Sequence, residues 1–183
     1  TSRRVSGAYH VSRLREGSDT QLDPEDRLLT NETIRKPGMD WYTCCEPIGP
    51  EHSAQELVDQ LFLGIDLGCF QHAAMRRVAV SNTPLSKKGQ ITNLRLAQIV
   101  AVIALASLDC PETKTIAVHE PNLLGLVSGA NTIYAETGAN PRDEQTNTEE
   151  NRGLNIHNSR KMLAETGFDG ILKGDGSIRP LHV

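Results

Sequence analysis

The chain has 183 residues, a formal net charge of −4 and only 4% aromatic residues. That length supports one domain with a substantial core. The mildly acidic balance, with Lys and Arg not clustered among aromatics, excludes the electrostatic footprint of a nucleic-acid-binding surface. No stretch approaches the roughly 20 apolar residues of a membrane-spanning helix, so no membrane contact is expected. Ser2-Arg3-Arg4 is not followed by the apolar run of a secretory signal. The cysteines Cys44, Cys45, Cys69 and Cys110 form no C-x-x-C pair and no zinc-like spacing. They read as reduced thiols of a cytoplasmic protein, each a small core residue by default. Thr1 stands directly before an apolar segment, as expected of a chain that begins inside a longer fold.

In chain order, Val5 to Leu14 reads as a strand. Asp23-Pro24-Glu25 then opens a helix, with Asp23 as N-cap and Pro24 in the first turn; it carries Leu28, Leu29 and Ile34 and stops at Lys36-Pro37-Gly38. Trp41 to Ile48 reads as a second strand, on which the adjacent Cys44 and Cys45 point to opposite faces. Ser53 and Glu56 form a capping box, followed by Leu57, Val58, Leu61, Phe62 and Ile65 at helical spacing, with Gly68 ending the helix. Met75 to Val80 reads as a third strand. Asn93 to Ser107 is apolar on nearly every side, which predicts a heavily buried helix. Thr115 to Val118 is a strand, Asn122 to Ser128 a short helix and Asn131 to Ala135 the last strand. A final helix, Ile156 to Thr166, is closed by Gly167.

Strict alternation of strand and helix implies an α/β fold with a parallel sheet and right-handed crossovers. The repeat is about 35 residues, usual for a (β/α) unit, and a full barrel takes about 250 residues. The chain is therefore either an open α/β sheet or the later half of a TIM-type barrel whose N-terminal half is missing. Residues 1–145 would form the half-barrel and 146–183 a C-terminal loop and helix. In both cases function collects at the C-terminal strand ends.

Those ends supply the candidates. Arg13 and Arg15 can clamp a carboxylate with forked hydrogen bonds, although a solvated basic pair is the commoner outcome. Cys44 and Glu46 can serve as ligand, nucleophile or proton donor, a buried structural cysteine being more frequent. Arg76 and Arg77 lie together in a strand, where unpaired burial is costly; one of the two is expected to point outward. His119 and Glu120 read as an acid/base pair or a pair of metal ligands, the zinc option being weak without a second histidine at helical spacing. Glu136 and Asn140 open a polar loop reaching Gly153, either a surface loop or a lid. The sequence holds no G-x-G-x-x-G, P-loop or G-x-S-x-G.

Four stretches together resemble the later half of a radical S-adenosylmethionine enzyme of the biotin synthase type, a group that includes methylornithine synthase and the iron hydrogenase maturases. They are "RLREG…DPEDRL" from Arg13 to Leu28, "TCCEPIG" from Thr43 to Gly49, "NTPL" from Asn82 to Leu85, and "LRLAQIVAVIAL" followed by "SGANTIYAETG". The resemblance implies a barrel in which reductive cleavage of S-adenosylmethionine yields a 5′-deoxyadenosyl radical that takes hydrogen from a small substrate. It implies Arg15, with Arg13 as runner-up, on the carboxylate of S-adenosylmethionine. It further implies substrate contacts from Glu46, Arg76, His119, Glu120, Glu136 and Asn140, with Cys44 as ligand or hydrogen donor. Cys44, His119 and Glu120 are the catalytic candidates.

The chain departs from the family in lacking the C-x-x-x-C-x-x-C loop that holds the [4Fe–4S] cluster through thiolates. It is therefore expected to bind no cluster or other metal stably by itself and to need the missing half of the barrel as partner, with a homodimer as a further option. Thr115 or Ile116 stands where the family has an arginine, which argues against biotin synthase chemistry itself. Two rivals remain: a cofactor-free, aldolase-like (β/α) barrel fragment, and a non-catalytic half-barrel whose open edge strands bind a partner chain.

Overall fold

The structure, a computed structural model, describes residues 29–30, 32–33, 36, 38–77, 86–135 and 153–182, the side chains of Glu46 and Ser86 excepted. The expected strand from Val5 to Leu14 lies outside these residues, as do the Asp23 N-cap and the Asn82–Leu85 corner; within the first expected helix, positions 29, 30, 32 and 33 have helical backbone.

Strand β1 spans Tyr42–Ile48. Helix α1, Ala54–Asp66, begins with the expected capping box: Ser53 Oγ accepts from the Glu56 amide, and the Glu56 carboxylate accepts from the Ser53 amide at 2.9 Å. It ends in a Schellman turn. Gly68 has φ 64°, its N–H donates to Ile65 O, and the Cys69 N–H donates to Gly64 O, so the last carbonyls are satisfied where only glycine turns without strain. Strand β2 is Gln71–Arg76, helix α2 is Asn93–Ala106 and strand β3 is Thr115–Val118. Helix α3, Leu123–Val127, strand β4, Thr132–Ile133, and helix α4, Ile156–Glu165, follow. A short antiparallel hairpin pairs β5, Gly170–Leu172, with β6, Ile178–Pro180.

The result is a mixed α/β fold. β1 to β4 are all parallel and lie side by side in chain order. With right-handed crossovers, an order that never reverses carries every connection over the same face. The packing agrees. Cys45, Ala74, Ile116 and Val118 from the strands join Leu61, Val100, Ile103 and Leu126 from α1, α2 and α3 in one apolar cluster, and Met162 and Leu163 of α4 pack against it. The opposite face carries a row of small residues in register, Cys44, Ala73 and Ala117, against which Tyr134 packs. Cys44 and Cys45 thus divide between the two faces, as strand alternation requires.

Three expectations are corrected. The strand placed at Met75 to Val80 runs instead over Gln71–Arg76. Its first residues are polar but bonded in place: Gln71 bonds Thr115 and Tyr134, and His72 Nε2 bonds the Leu61 carbonyl, which offsets part of the burial penalty that hydropathy assigns them. The helix expected to be heavily buried is buried on one side only; Leu94, Val102 and Leu105 are more than half exposed. The strand expected at Asn131 to Ala135 is reduced to Thr132–Ile133, and it is not the last, because β5 and β6 follow. Among the described residues no helix is long and apolar enough to cross a membrane.

Close approach of α1 to the sheet depends on Gly64. A Cβ there would fall 2.7 Å from the Thr43 methyl and against the His72 ring. The helix gives up about 1 kcal/mol of propensity at such a glycine, and the gain is a tight seam in which Gln60 Nε2 donates to Thr43 Oγ1 at 3.0 Å. His72 is wholly buried in this seam, with Nε2 3.1 Å from Leu61 O. Burial outweighs that hydrogen bond and lowers its pKa to about 4, from the ordinary 6.5.

A depressed pKa means that the unfolded chain takes up a proton that the folded chain refuses. The contribution is complete above about pH 6.5 and is lost as pH falls toward the folded value. Unfolding free energy is therefore expected to drop by about 3 kcal/mol between pH 7 and pH 4 through this one group. His72→Gln keeps a donor for Leu61 O and does not titrate. Urea midpoints across this range should show a flatter slope for that variant, and an unchanged slope would remove His72 as the source.

Candidate functional site at the strand ends

Strand β2 ends on Arg76, Arg77 follows it, and each is gripped by a carboxylate from a neighbouring loop. Arg76 Nε donates to both Glu120 oxygens at 2.8 Å, and its Nη2 donates to Oε1 at 2.5 Å. Nη1 reaches Ile91 O at 3.4 Å. The Arg77 N–H extends the ladder to Ile48 O at 2.8 Å. Its guanidinium then turns the other way, pairing with both Glu51 oxygens and donating to Gly89 O at 2.9 Å. Neither arginine points outward, contrary to expectation: the side chains are 16% and 7% exposed. Successive residues leave a strand on opposite faces, so one strand end reaches two different neighbouring loops.

Local geometry makes room for both pairs. Gly49 lies flat against the Arg77 guanidinium and the Glu51 carboxylate, where a Cβ would collide with each. Burial raises the pKa of the Glu51 carboxyl, but the Arg77 hydrogen bond and charge more than offset it, and the pKa lies below the ordinary carboxylate value. Glu120 is 5% exposed. Asn122, which shares its corner, is a capping residue: Oδ1 accepts from the Gly125 amide at 2.7 Å and Nδ2 donates to Glu120 O at 2.9 Å.

On the face opposite the helices a second polar line runs over the small row. Thr115 Oγ1 donates to Gln71 Oε1 at 3.1 Å, and Gln71 Nε2 donates to the Tyr134 hydroxyl. The Tyr134 ring packs against the His119 ring, with centroids 4.5 Å apart. Tyr134 leaves the end of β4 and reaches back across Ala117 toward Gln71, which only small residues beneath it permit. This line brings together an amide, a hydroxyl, a phenol and an imidazole.

The structure therefore joins Arg76 to Glu120 and places His119 nearby on the other face of β3. Cys44 is 1% exposed in the small row. Glu46 stands on β1 with its side chain outside the described residues, and Arg13, Arg15, Glu136 and Asn140 lie wholly outside them. Sequence reasoning missed Glu51, Gln71, His72 and Tyr134 as members of polar networks. For Gln71 and His72 the available signal was a polar pair directly before a small-residue run. Tyr134 carried none beyond its place two residues before Glu136.

A [4Fe–4S] cluster needs several thiolates brought together. Cys44 and Cys45 face away from one another. Cys69 lies at the opposite end of the sheet, where burial, partly offset by a Thr113 hydrogen bond, raises its thiol to about 11. Among the described residues no group of three or more His, Cys, Asp or Glu side chains could hold a metal ion. These residues do not fit such a cluster.

Removing Arg76 alone leaves the buried Glu120 carboxylate without its cation, a loss of about 3 kcal/mol for a pair of this kind. Arg76→Met should destabilise the fold by that amount in chemical denaturation, and adding Glu120→Leu should recover most of it. A double variant as unstable as the sum of its parts would show that the two residues act separately.

No family model matches the chain, and no curated protein is significantly similar to it.

Proposed function

We propose that the chain is the later half of a (β/α) barrel in a radical S-adenosylmethionine enzyme resembling biotin synthase, and that it supplies the wall holding the substrate. The observation that carries this reading is the unreversed parallel order β1-β2-β3-β4 with α1, α2, α3 and α4 against one apolar cluster. A doubly wound sheet reverses its strand order and has helices on both faces; a barrel does neither.

On this reading the face opposite the helices is the barrel interior. Barrel interiors are usually filled by branched side chains, whereas Cys44, Ala73 and Ala117 form a shallow row here. Tyr134 packs against that row. His119, Gln71, Thr115 and Tyr134 orient a small polar substrate there, and Cys44 shares the same row. Arg76 and Glu120 hold each other, so they act as positioning residues of the rim rather than as a separate substrate contact and acid. The family resemblance assigns radical generation to cofactor chemistry that the protein orients and shields. The cluster would be held by the other half of the barrel, and Arg13 and Arg15 would bind the carboxylate of S-adenosylmethionine.

The polypeptide encoded continuously with this chain should carry a C-x-x-x-C-x-x-C loop about 100–150 residues before Thr1, the distance set by roughly 30-residue (β/α) units. After anaerobic reconstitution and reduction, that polypeptide should convert S-adenosylmethionine to 5′-deoxyadenosine. Arg15→Ala should weaken S-adenosylmethionine binding about tenfold or more, the loss expected for a charge-assisted hydrogen bond. His119→Ala and Tyr134→Ala should leave the uncoupled reaction within about twofold, because remote substrate contacts do not serve the cofactor. A loaded, folded protein that forms no 5′-deoxyadenosine would sink this assignment and favour a cofactor-free barrel.

A further inference from the structure

Helix α2 is apolar on two sides. Leu96, Val100 and Ile103 are buried against the sheet, while Leu94 is 62%, Val102 51%, Leu105 67% and the following Leu108 76% exposed. Positions 94, 98, 101–102 and 105 recur at the spacing of a helix–helix seam. The seam lies between two grooves. One, about 350 Å³, runs along α1 beside Leu57, Leu61 and Val102; the other, about 800 Å³, runs beside Ala104, Leu108 and Val127. α2 packs over β2 and β3, each of which already has a strand on both sides. Strands added beyond β1 or β4 would extend the sheet sideways and leave the outer side of α2 bare. Among the described residues that side stays exposed, which suits contact with another molecule.

Charge identifies that molecule. The single charged residue of α2 is Arg95, near its N-terminus; Asp109 follows its C-terminus, and both are exposed. At 1.5 Å per residue the 14-residue helix is about 21 Å long. Two copies of the helix laid antiparallel about an axis at Ala101 and Val102 bring Arg95 of each beside Asp109 of the other. Leu94 then meets Leu108, and each exposed ridge faces the other copy's groove. A parallel arrangement would instead oppose the two arginines. An isologous contact needs a self-complementary patch of this kind.

We propose that α2 is the interface of a homodimer, packed antiparallel on its counterpart across a two-fold axis at Ala101–Val102, with two Arg95–Asp109 pairs closing its ends. This assembly does not depend on the enzymatic assignment.

Sedimentation equilibrium of the chain should give a dimer at about 100 µM, within reach of a micromolar interface. Leu105→Glu should raise the dissociation constant at least about tenfold, as expected for charging an apolar contact. Arg95→Glu and Asp109→Lys should each weaken the dimer, and the two combined should restore it. Under mild oxidation Val102→Cys, next to its own counterpart at the axis, should form a disulfide-linked dimer, whereas the native chain and Glu165→Cys should not. A monomeric native chain, larger aggregates indifferent to Leu105→Glu, or failure of both the charge swap and the Val102→Cys cross-link would overturn the proposal. If Leu105→Glu disturbs folding, the charge swap and the cross-link decide alone.

Discussion

The end of β2 is the constraint around which the strand-end rim is organised. Parallel strands present adjacent C-terminal loops that share no backbone ladder, so other contacts must fix their spacing. Arg76 and Arg77 do this from consecutive positions, one reaching Glu120 after β3 and the other Glu51 after β1. Both also bond carbonyls at Gly89 and Ile91, just before α2. Three loops are thereby held by two side chains. Each guanidinium uses its planar set of donors against both oxygens of its carboxylate, a geometry that a lysine cannot reproduce. Such pairs lend little net stability when measured against apolar replacements, but losing one partner strands the other. Their value lies in fixing geometry.

That geometry separates two polar systems across the sheet. At the strand ends the charges are consumed by one another, and on the helix side His72, Thr43 and Gln60 are drawn into the tight seam beneath α1. On the other side the groups are uncharged or weakly basic: Gln71, Thr115, Tyr134 and His119 over a floor of cysteine and alanine. Rigid support lies on one face, and adaptable hydrogen-bonding groups lie on the other. A binding surface is best served by this division, because the groups that orient a ligand are then backed by packing that does not move with them.

The two sides of α2 extend the same logic outward. The helix has no acidic residue and a single arginine, and its outer side exposes leucines and a valine. The sheet order leaves that surface outside any continuation of the strands. The proposed barrel and the proposed dimer therefore use different faces of the same molecule and can coexist.

Much of this was legible in the sequence. Strand β1, the capping box at Ser53 and Glu56, the glycine stops at Gly68 and Gly167, and the alternation that makes the sheet parallel all follow from local chemistry: periodicity, side-chain capping and the freedom of glycine at positive φ. His119 and Glu120 could be placed at a strand end for the same reason, whereas Arg76 was expected inside a strand from Met75 to Val80 and closes β2 instead. Tertiary structure alone decided their partners. That Arg76 belongs to Glu120, 44 positions away, depends on which strands lie side by side. So does the acceptance of Gln71 and His72 inside β2, where hydropathy argued against a strand. The outer face of α2 followed from the same source, since an all-round apolar helix reads as buried until the sheet order shows which side has no neighbour. Local propensity acts through residues within a turn of one another, whereas ion pairing, polar burial and exposure are properties of neighbours that only the folded topology supplies.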